Sequence, residues 1–142
     1  MTKLSLALFL LATPASAAGP FLAAAPSFKR PYRIDAAQAR VVDGDTIAYK
    51  GKSFRLYGFD APELRGKCAY EKAKAGVAKL TLRELMDGAK RVQVQRSRAP
   101  DKYGRIVARL IVDKKDVGPL MIEKGMAVAY LGKGPRKDWC HA

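Results

Sequence analysis

The chain has 142 residues, with 27 Lys and Arg against 13 Asp and Glu, a formal net charge of +14. That length suits one domain of ordinary size, and the charge excess argues against a neutral partner and for a polyanion, nucleic acid or an anionic membrane surface. One Trp and no basic amphipathic helix with a bulky apolar face make nucleic acid the better fit, without stable membrane association.

Residues 1–17 read as an export signal. Lys3 gives a short positive start, Leu4 to Ala12 is apolar, and Ala15-Ser16-Ala17 is a small-residue cleavage site. The apolar run falls short of the roughly 20 residues that span a bilayer, so the mature chain is expected to be periplasmic or secreted. Gly19 to Arg33 is Ala/Pro-rich and aperiodic, and residues 18–36 read as an arm ahead of a folded domain over 37–142.

Gln38 to Val42 and Thr46 to Tyr49 read as strands joined by Asp43-Gly44-Asp45, a hairpin composition. Lys50-Gly51 marks the next turn, and Ser53 to Phe59 continues as a third strand. A helix is predicted from about Tyr70 to Met86, with Ala75, Ala78, Leu82 and Leu85 on one stripe and Asp87-Gly88 ending it. Arg91 to Gln95 alternates as a half-buried strand, Ser97 to Tyr103 is a polar loop, and Ile106 to Val112 is a further strand. Val117 to Lys124 suits a short helix with Pro119 in its first turn and Gly125 after it, followed by an apolar strand over Met126 to Tyr130. A run of short strands, one inserted helix and no regular strand–helix alternation describe a mainly β, α+β fold, an OB-type five-stranded barrel.

Cys68 and Cys140 are the only cysteines. In an oxidising compartment they form one disulfide, closing a long loop worth roughly 4 kcal/mol on the chain-entropy account. A metal site at Cys140-His141 is the alternative, though it offers only two ligands near a chain end.

Elimination narrows the chemistry. His141 is the only histidine, no Ser lies in a Gly-x-Ser-x-Gly setting, and no Gly-x-x-x-x-Gly-Lys loop is present. Carboxylates with a hard metal remain. Four of the 13 acids lie between Asp43 and Glu63. Asp45 closes the first hairpin and Asp60 ends the third strand, so a meander can set them side by side at one rim. Converging carboxylates repel until one takes a proton or a cation enters. Two aspartates, a backbone carbonyl and waters suit Ca²⁺ with weak affinity. Glu63, held by Pro62, is placed to orient or deprotonate a water. Arg55, in the third strand, and Arg105, after the Tyr103-Gly104 turn, offer planar forks for phosphate oxygens. Taken singly, each segment is also compatible with a plain turn, a helix start or a surface ion pair. Their order and spacing are the stronger signal.

Asp43-Gly44-Asp45-Thr46, Phe54-Arg55-Leu56, Asp60-Ala61-Pro62-Glu63 and Asp101-Lys102-Tyr103-Gly104-Arg105, in that order, resemble the staphylococcal nuclease (thermonuclease) family over about Arg40 to Tyr130. The resemblance implies Ca²⁺ held by Asp45, Asp60 and the Ala61 main-chain carbonyl, Glu63 as general base or water-positioner, and Arg55 and Arg105 as a phosphate clamp. It implies cleavage of single-stranded DNA and RNA at the P–O5′ bond, leaving 3′-phosphates, by a protein expected to be monomeric. Lys102 and Tyr103 match positions contacting the terminal phosphate, and Tyr130 falls near a tyrosine that packs against the base. Four features depart from the family pattern: Ala61 replaces a Thr whose carbonyl is the ligand, the spacing around Tyr130 is one residue short, a second pocket tyrosine is absent with Gly132 nearby, and the long C-terminal helix is missing. The Cys68–Cys140 bridge is expected to fix the tail in that helix's place. A non-catalytic nucleic-acid-binding OB domain is the competing reading, but it has no use for Asp45, Asp60 and Glu63 inside a basic groove.

Overall fold

A computed structural model describes residues 25–141; the expected export signal lies outside them. The elements run β1 (Tyr32–Ile34), β2 (Arg40–Asp43), β3 (Thr46–Tyr49), β4 (Lys52–Leu56), β5 (Gly58–Asp60), α1 (Ala69–Asp87), β6 (Val92–Arg96), β7 (Ile106–Val112), β8 (Lys115–Asp116), α2 (Val117–Glu123) and β9 (Val128–Tyr130). A 3₁₀ turn, Ala36–Gln38, links β1 to β2 and is capped by the Asp35 side chain.

Seven strands form one sheet in the order β1-β6-β7-β4-β3-β2, with β8 paired to β7. β2, β3 and β4 make the expected antiparallel meander. β4 then pairs in parallel with β7, and β7 pairs antiparallel with β6. The order β2-β3-β4-β7-β6, with its one parallel contact, is the strand order of an OB-type sheet, and with two helices it gives the expected mainly β, α+β fold. No ladder joins β6 to β2, so the sheet is an open half-barrel and the expected closure is not seen among the described residues. β1 instead takes the free edge of β6, pairing Tyr32 with Val94 and Ile34 with Val92. The end of the presumptive arm is thus part of the sheet, and Phe28 bridges to Ser97 ahead of it.

The third predicted strand is two. Gly58 has φ of 94°, a conformation only glycine adopts cheaply, and it turns the chain out of β4 into β5. β5 pairs with β9 rather than with the main sheet, setting Asp60 opposite Val128 and Gly58 opposite Tyr130. The Lys50-Gly51 turn has positive φ at both residues, 47° and 72°, the geometry that matches hairpin twist.

α1 buries Ala75, Ala78, Leu82 and Met86 against the sheet. Met86, rather than the predicted Leu85, completes the stripe, while Leu85 is partly buried beside it. The core joins this stripe to Ile47, Phe54, Leu56 and Phe59 from the meander, Val94 and Leu110 from β6 and β7, and Val117 and Met121 from α2. No described helix is long and apolar enough to cross a membrane. Beyond β9 the chain runs exposed from Leu131 to Asp138, then buries Trp139 and joins Cys140 to Cys68 by a disulfide.

Candidate active site

The first hairpin carries Asp45 into the interior. A register shift between Val41 and Asp43 kinks β2 just before the turn. Gly44 then wedges between α1 and the loop after β5: a Cβ added there would lie 2.8 Å from the Ala61 Cβ and 2.9 Å from the Ala78 Cβ. Only glycine lets the hairpin tip approach that closely. The result is a buried Asp45, 7% exposed, whose Oδ2 accepts from the Ala61 N–H at 3.2 Å and whose Oδ1 accepts from the Thr46 hydroxyl at 3.0 Å.

Asp60, at the end of β5, is fully buried. Arg55 of β4 stands between the two acids. Its NH2 lies 3.1 Å from Asp45 Oδ2 and 3.2 Å from Asp60 Oδ1, while NH1 donates to the Leu56 carbonyl at 2.9 Å. Burial pushes the Asp45 carboxyl above its ordinary value, and Asp60 adds to the rise; the Arg55 charge, the Ala61 N–H and the Thr46 hydroxyl pull the other way.

Glu63 sits three residues beyond Asp60, half-exposed at the rim. Its segment is organised by Glu71, a buried acid on α1. Glu71 Oε1 accepts from the Glu63 N–H at 3.3 Å, and Oε2 accepts from the Lys67 N–H at 2.9 Å. Gly66 leaves room for that carboxylate, since any Cβ there would collide with it.

A third cation enters from the far end of the chain. Arg136 Nε and NH2 donate to Asp60 Oδ1 at 2.9 and 2.6 Å, and NH1 donates to Glu63 Oε1 at 2.5 Å. Burial works against the Arg136 charge, yet the bonds to Asp60 and Glu63 raise its pKa further above the usual guanidinium value.

The second arginine of the expected clamp arrives with the loop before β7. Asp101 Oδ1 accepts from the N–H groups of Tyr103 and Arg105, both at 2.9 Å, and its Oδ2 accepts from Arg105 Nε at 2.8 Å. Burial alone would raise the Asp101 carboxyl; these donors outweigh it and hold the group below its ordinary value. Lys102 and Arg105 both lie over the Tyr103 ring, at 5.0 and 5.1 Å from its centroid. Because β7 runs parallel to β4 with Ile106 beside Phe54, this loop opens at the same mouth as Arg55.

One cavity of about 760 Å³ is lined by Asp45, Arg55, Glu63, Lys102, Tyr103, Arg105, Tyr130 and Arg136. Buried Asp60 does not line it but bonds to Arg55 and Arg136, which do. The sequence-predicted residues therefore converge, except that Arg105 is paired with Asp101 and touches none of Asp45, Asp60 or Glu63 among the contacts of the described residues. Ala61 contributes its N–H to Asp45. Tyr130 lines the cavity with its hydroxyl donated to the Gly134 carbonyl at 3.2 Å.

The donor set suits a hard divalent cation. No three His, Cys, Asp or Glu side chains converge into a closed cage among the described residues, so side-chain ligation rests on two carboxylates, with main chain and water to complete it. Those oxygens match Ca²⁺ or Mg²⁺, not a thiolate- or imidazole-seeking metal. Asp60 Oδ2 is buried without any hydrogen-bond donor, an anionic oxygen that a cation would stabilise.

The family model described as "Staphylococcal nuclease homologue" matches residues 53–139. The chain belongs to this family. Three of the four motifs lie inside the match, as does the tail bearing Arg136; Asp45 lies ahead of it and joins the site through the fold. The chain is 32% identical over 104 residues to the SPbeta prophage-derived endonuclease YokF of Bacillus subtilis (strain 168), covering 69% of this chain and 35% of that protein. It is 33% identical over 98 residues to endonuclease YncB of the same organism, covering 65% and 46%. It is also 35% identical over 95 residues to the succinoglycan biosynthesis protein ExoI of Rhizobium meliloti (strain 1021), covering 64% and 50%. The chain thus spans half or less of the length of these curated relatives.

Two residues of this family site escaped the sequence reading. Arg136 sits in an aperiodic basic tail, where its only pointer is the proximity of Cys140. Glu71 follows Cys68 by three residues in the first turn of α1, a position that also suits an ordinary helix-dipole carboxylate.

Proposed function

We propose that this chain is an exported, Ca²⁺-dependent phosphodiesterase that hydrolyses single-stranded DNA and RNA with low sequence specificity, breaking the P–O5′ bond and leaving 3′-phosphates. The observation that carries the proposal is that Asp45, Arg55 and the rim carboxylate Glu63 line one cavity, with buried Asp60 bonded to Arg55 beside it, in a strongly cationic chain. Membership of the nuclease family and the endonuclease names of two relatives support it.

Asp45, Asp60 and the Ala61 carbonyl would hold Ca²⁺, which when bound supplies positive charge beside the scissile phosphate and polarises a water. Glu63, partly solvated at the rim, takes a proton from the attacking water or holds it in line. Arg55, held by the two aspartates and lining the same cavity, would offer its guanidinium to the charge that accumulates on the phosphorane. Arg105 leaves Asp101 to add a second planar donor pair, worth several kcal/mol of transition-state stabilisation in comparable sites. Lys102 and Tyr103 take the terminal phosphate, and Tyr130 offers a face for a base; such stacking contributes about 1–3 kcal/mol per base. The proposal takes the chain to act as a monomer. The apolar run of residues 4–12 and the Cys68–Cys140 disulfide both favour a periplasmic or secreted location.

The test is cleavage of denatured DNA and of RNA by the mature chain, with Ca²⁺ or with chelator, followed by end-group analysis. The proposal expects metal-dependent cutting of both and 3′-phosphate termini. Chelator-resistant cutting, or 5′-phosphate termini, would overturn it. A nucleic-acid-binding domain without chemistry would bind both polymers and cut neither.

A further inference from the structure

The tail after β9 is a strap. It leaves the site at Tyr130, runs exposed through Leu131 to Asp138, and is fastened again by buried Trp139 and the Cys68–Cys140 disulfide. Cys68 itself caps the N-terminus of α1, so the far end is tied to the longer of the two described α-helices. Gly132 and Gly134 both have positive φ, 83° and 76°, and shape its bend. The Tyr130 hydroxyl bonds the Gly134 carbonyl and holds the near end. Between these ties Arg136 reaches in to Asp60 and Glu63.

Its position is that of a counter-ion. Arg136 gives two N–H groups to Asp60 Oδ1 and one to Glu63 Oε1. With Arg55, Oδ1 then accepts three donors, more than its two lone pairs serve well. A dication on the donor-free Oδ2 of Asp60 would lie beside the guanidinium held on Oδ1 of the same carboxylate, in a partly buried setting where like charges repel strongly. The Arg136 side chain is 44% exposed, so it can leave toward solvent without opening the core.

Building on the metal reading above, the geometry points to Arg136 as a tethered rival for the divalent cation. It occupies Asp60 and Glu63 when no metal is bound, and the metal binds by displacing it. The strap keeps the local guanidinium concentration high, since the displaced group remains attached at both ends. The consequence is a deliberately weakened metal site, filled only where divalent cation is abundant, as it is for extracellular modules at about 10⁻⁴–10⁻³ M. Glu63, the candidate water-positioner, is also released only when Arg136 leaves, so the same event that admits the cation frees the base.

The test is isothermal titration of Ca²⁺ into the disulfide-intact mature chain, into Arg136→Gln and into Arg136→Lys, with no nucleic acid present. Arg136→Gln is expected to bind Ca²⁺ at least tenfold more tightly, while Arg136→Lys, which keeps the charge, stays within about threefold of the parent. Reduced parent protein, its strap untied but its sequence unchanged, is expected to move toward the Arg136→Gln value and covers the case in which that variant folds poorly. Equal affinity in the parent, Arg136→Gln and the reduced protein would overturn the rivalry while leaving the metal reading intact. Absence of Ca²⁺ binding in all of them would overturn both.

Discussion

Arg55 lies five residues before Asp60 in the chain, and its NH2 sits 3.2 Å from Asp60 Oδ1 while touching Asp45 Oδ2 at 3.1 Å. One guanidinium therefore neutralises two acids whose side chains are at most 10% exposed. Removing it leaves buried charge uncompensated, an effect costing about 3–5 kcal/mol in comparable pairs. Arg55→Ala is expected to lose about 3 kcal/mol in urea unfolding, the low end, because Arg136 still reaches Asp60. Adding Ca²⁺ should restore part of the loss. Stability equal to the parent in the absence of metal would show that the pair is not held by this residue.

Gly44 makes a sharper steric prediction. A methyl group at this position meets Ala61 and Ala78 at 2.8 and 2.9 Å, and both neighbours are fixed, one by backbone and one by α1. Gly44→Ala should cost about 1–3 kcal/mol by overpacking. It should also weaken Ca²⁺ binding, because the adjacent Asp45 must move with the hairpin tip. Retention of the parent's thermal midpoint and Ca²⁺ affinity would contradict the wedge.

How far the sequence disclosed these features depended on the range of the interaction. Local periodicity exposed α1, β3 and β7, whose predicted bounds lie within a residue of those observed. The order of the motifs exposed Asp45, Arg55, Asp60 and Glu63 because each is tied to a recognisable turn or strand end. The break at Gly58 was hidden, since Ser53 to Phe59 is apolar enough to read as one strand. β1 was hidden because Tyr32-Arg33-Ile34 is too short and too close to Pro31 to show alternation. Arg136 was hidden most completely: its contact with Asp60 spans 76 residues, in a tail that a disulfide ties back to α1.

The disulfide should matter to the fold as well as to the strap. Cys68 and Cys140 are 72 positions apart, and closing a loop of that length stabilises by about 4 kcal/mol on the chain-entropy account. Reduction is expected to lower Tm by on the order of 10 °C or more. An unchanged midpoint after complete reduction, verified by thiol titration, would mean the tail contributes nothing to the folded state.

Acid should loosen the 97–105 loop. The folded-state pKa of Asp101 lies below its ordinary 3.8, so its contribution is complete above 3.8 and fades as pH falls through the folded value. Asp101→Asn should therefore be less stable than the parent at neutral pH, with the gap closing as pH drops below 3.8. In cleavage assays at neutral pH the variant should show weaker substrate binding, because the main-chain N–H groups of Tyr103 and Arg105 lose the charge of their shared acceptor and the loop loosens. A stability gap independent of pH would place the effect elsewhere.

On the proposed mechanism, Glu63 acts on a water beside a cation held by Asp45 and Asp60. Single-turnover cleavage of a short single-stranded oligonucleotide by Glu63→Gln, at a Ca²⁺ concentration that titration shows to be saturating for the variant, tests this directly. The expected result is a rate lowered by about 10²–10⁴-fold, with Ca²⁺ bound at least as tightly as in the parent and the melting curve preserved. A rate within a few-fold of the parent under those conditions would contradict the assignment.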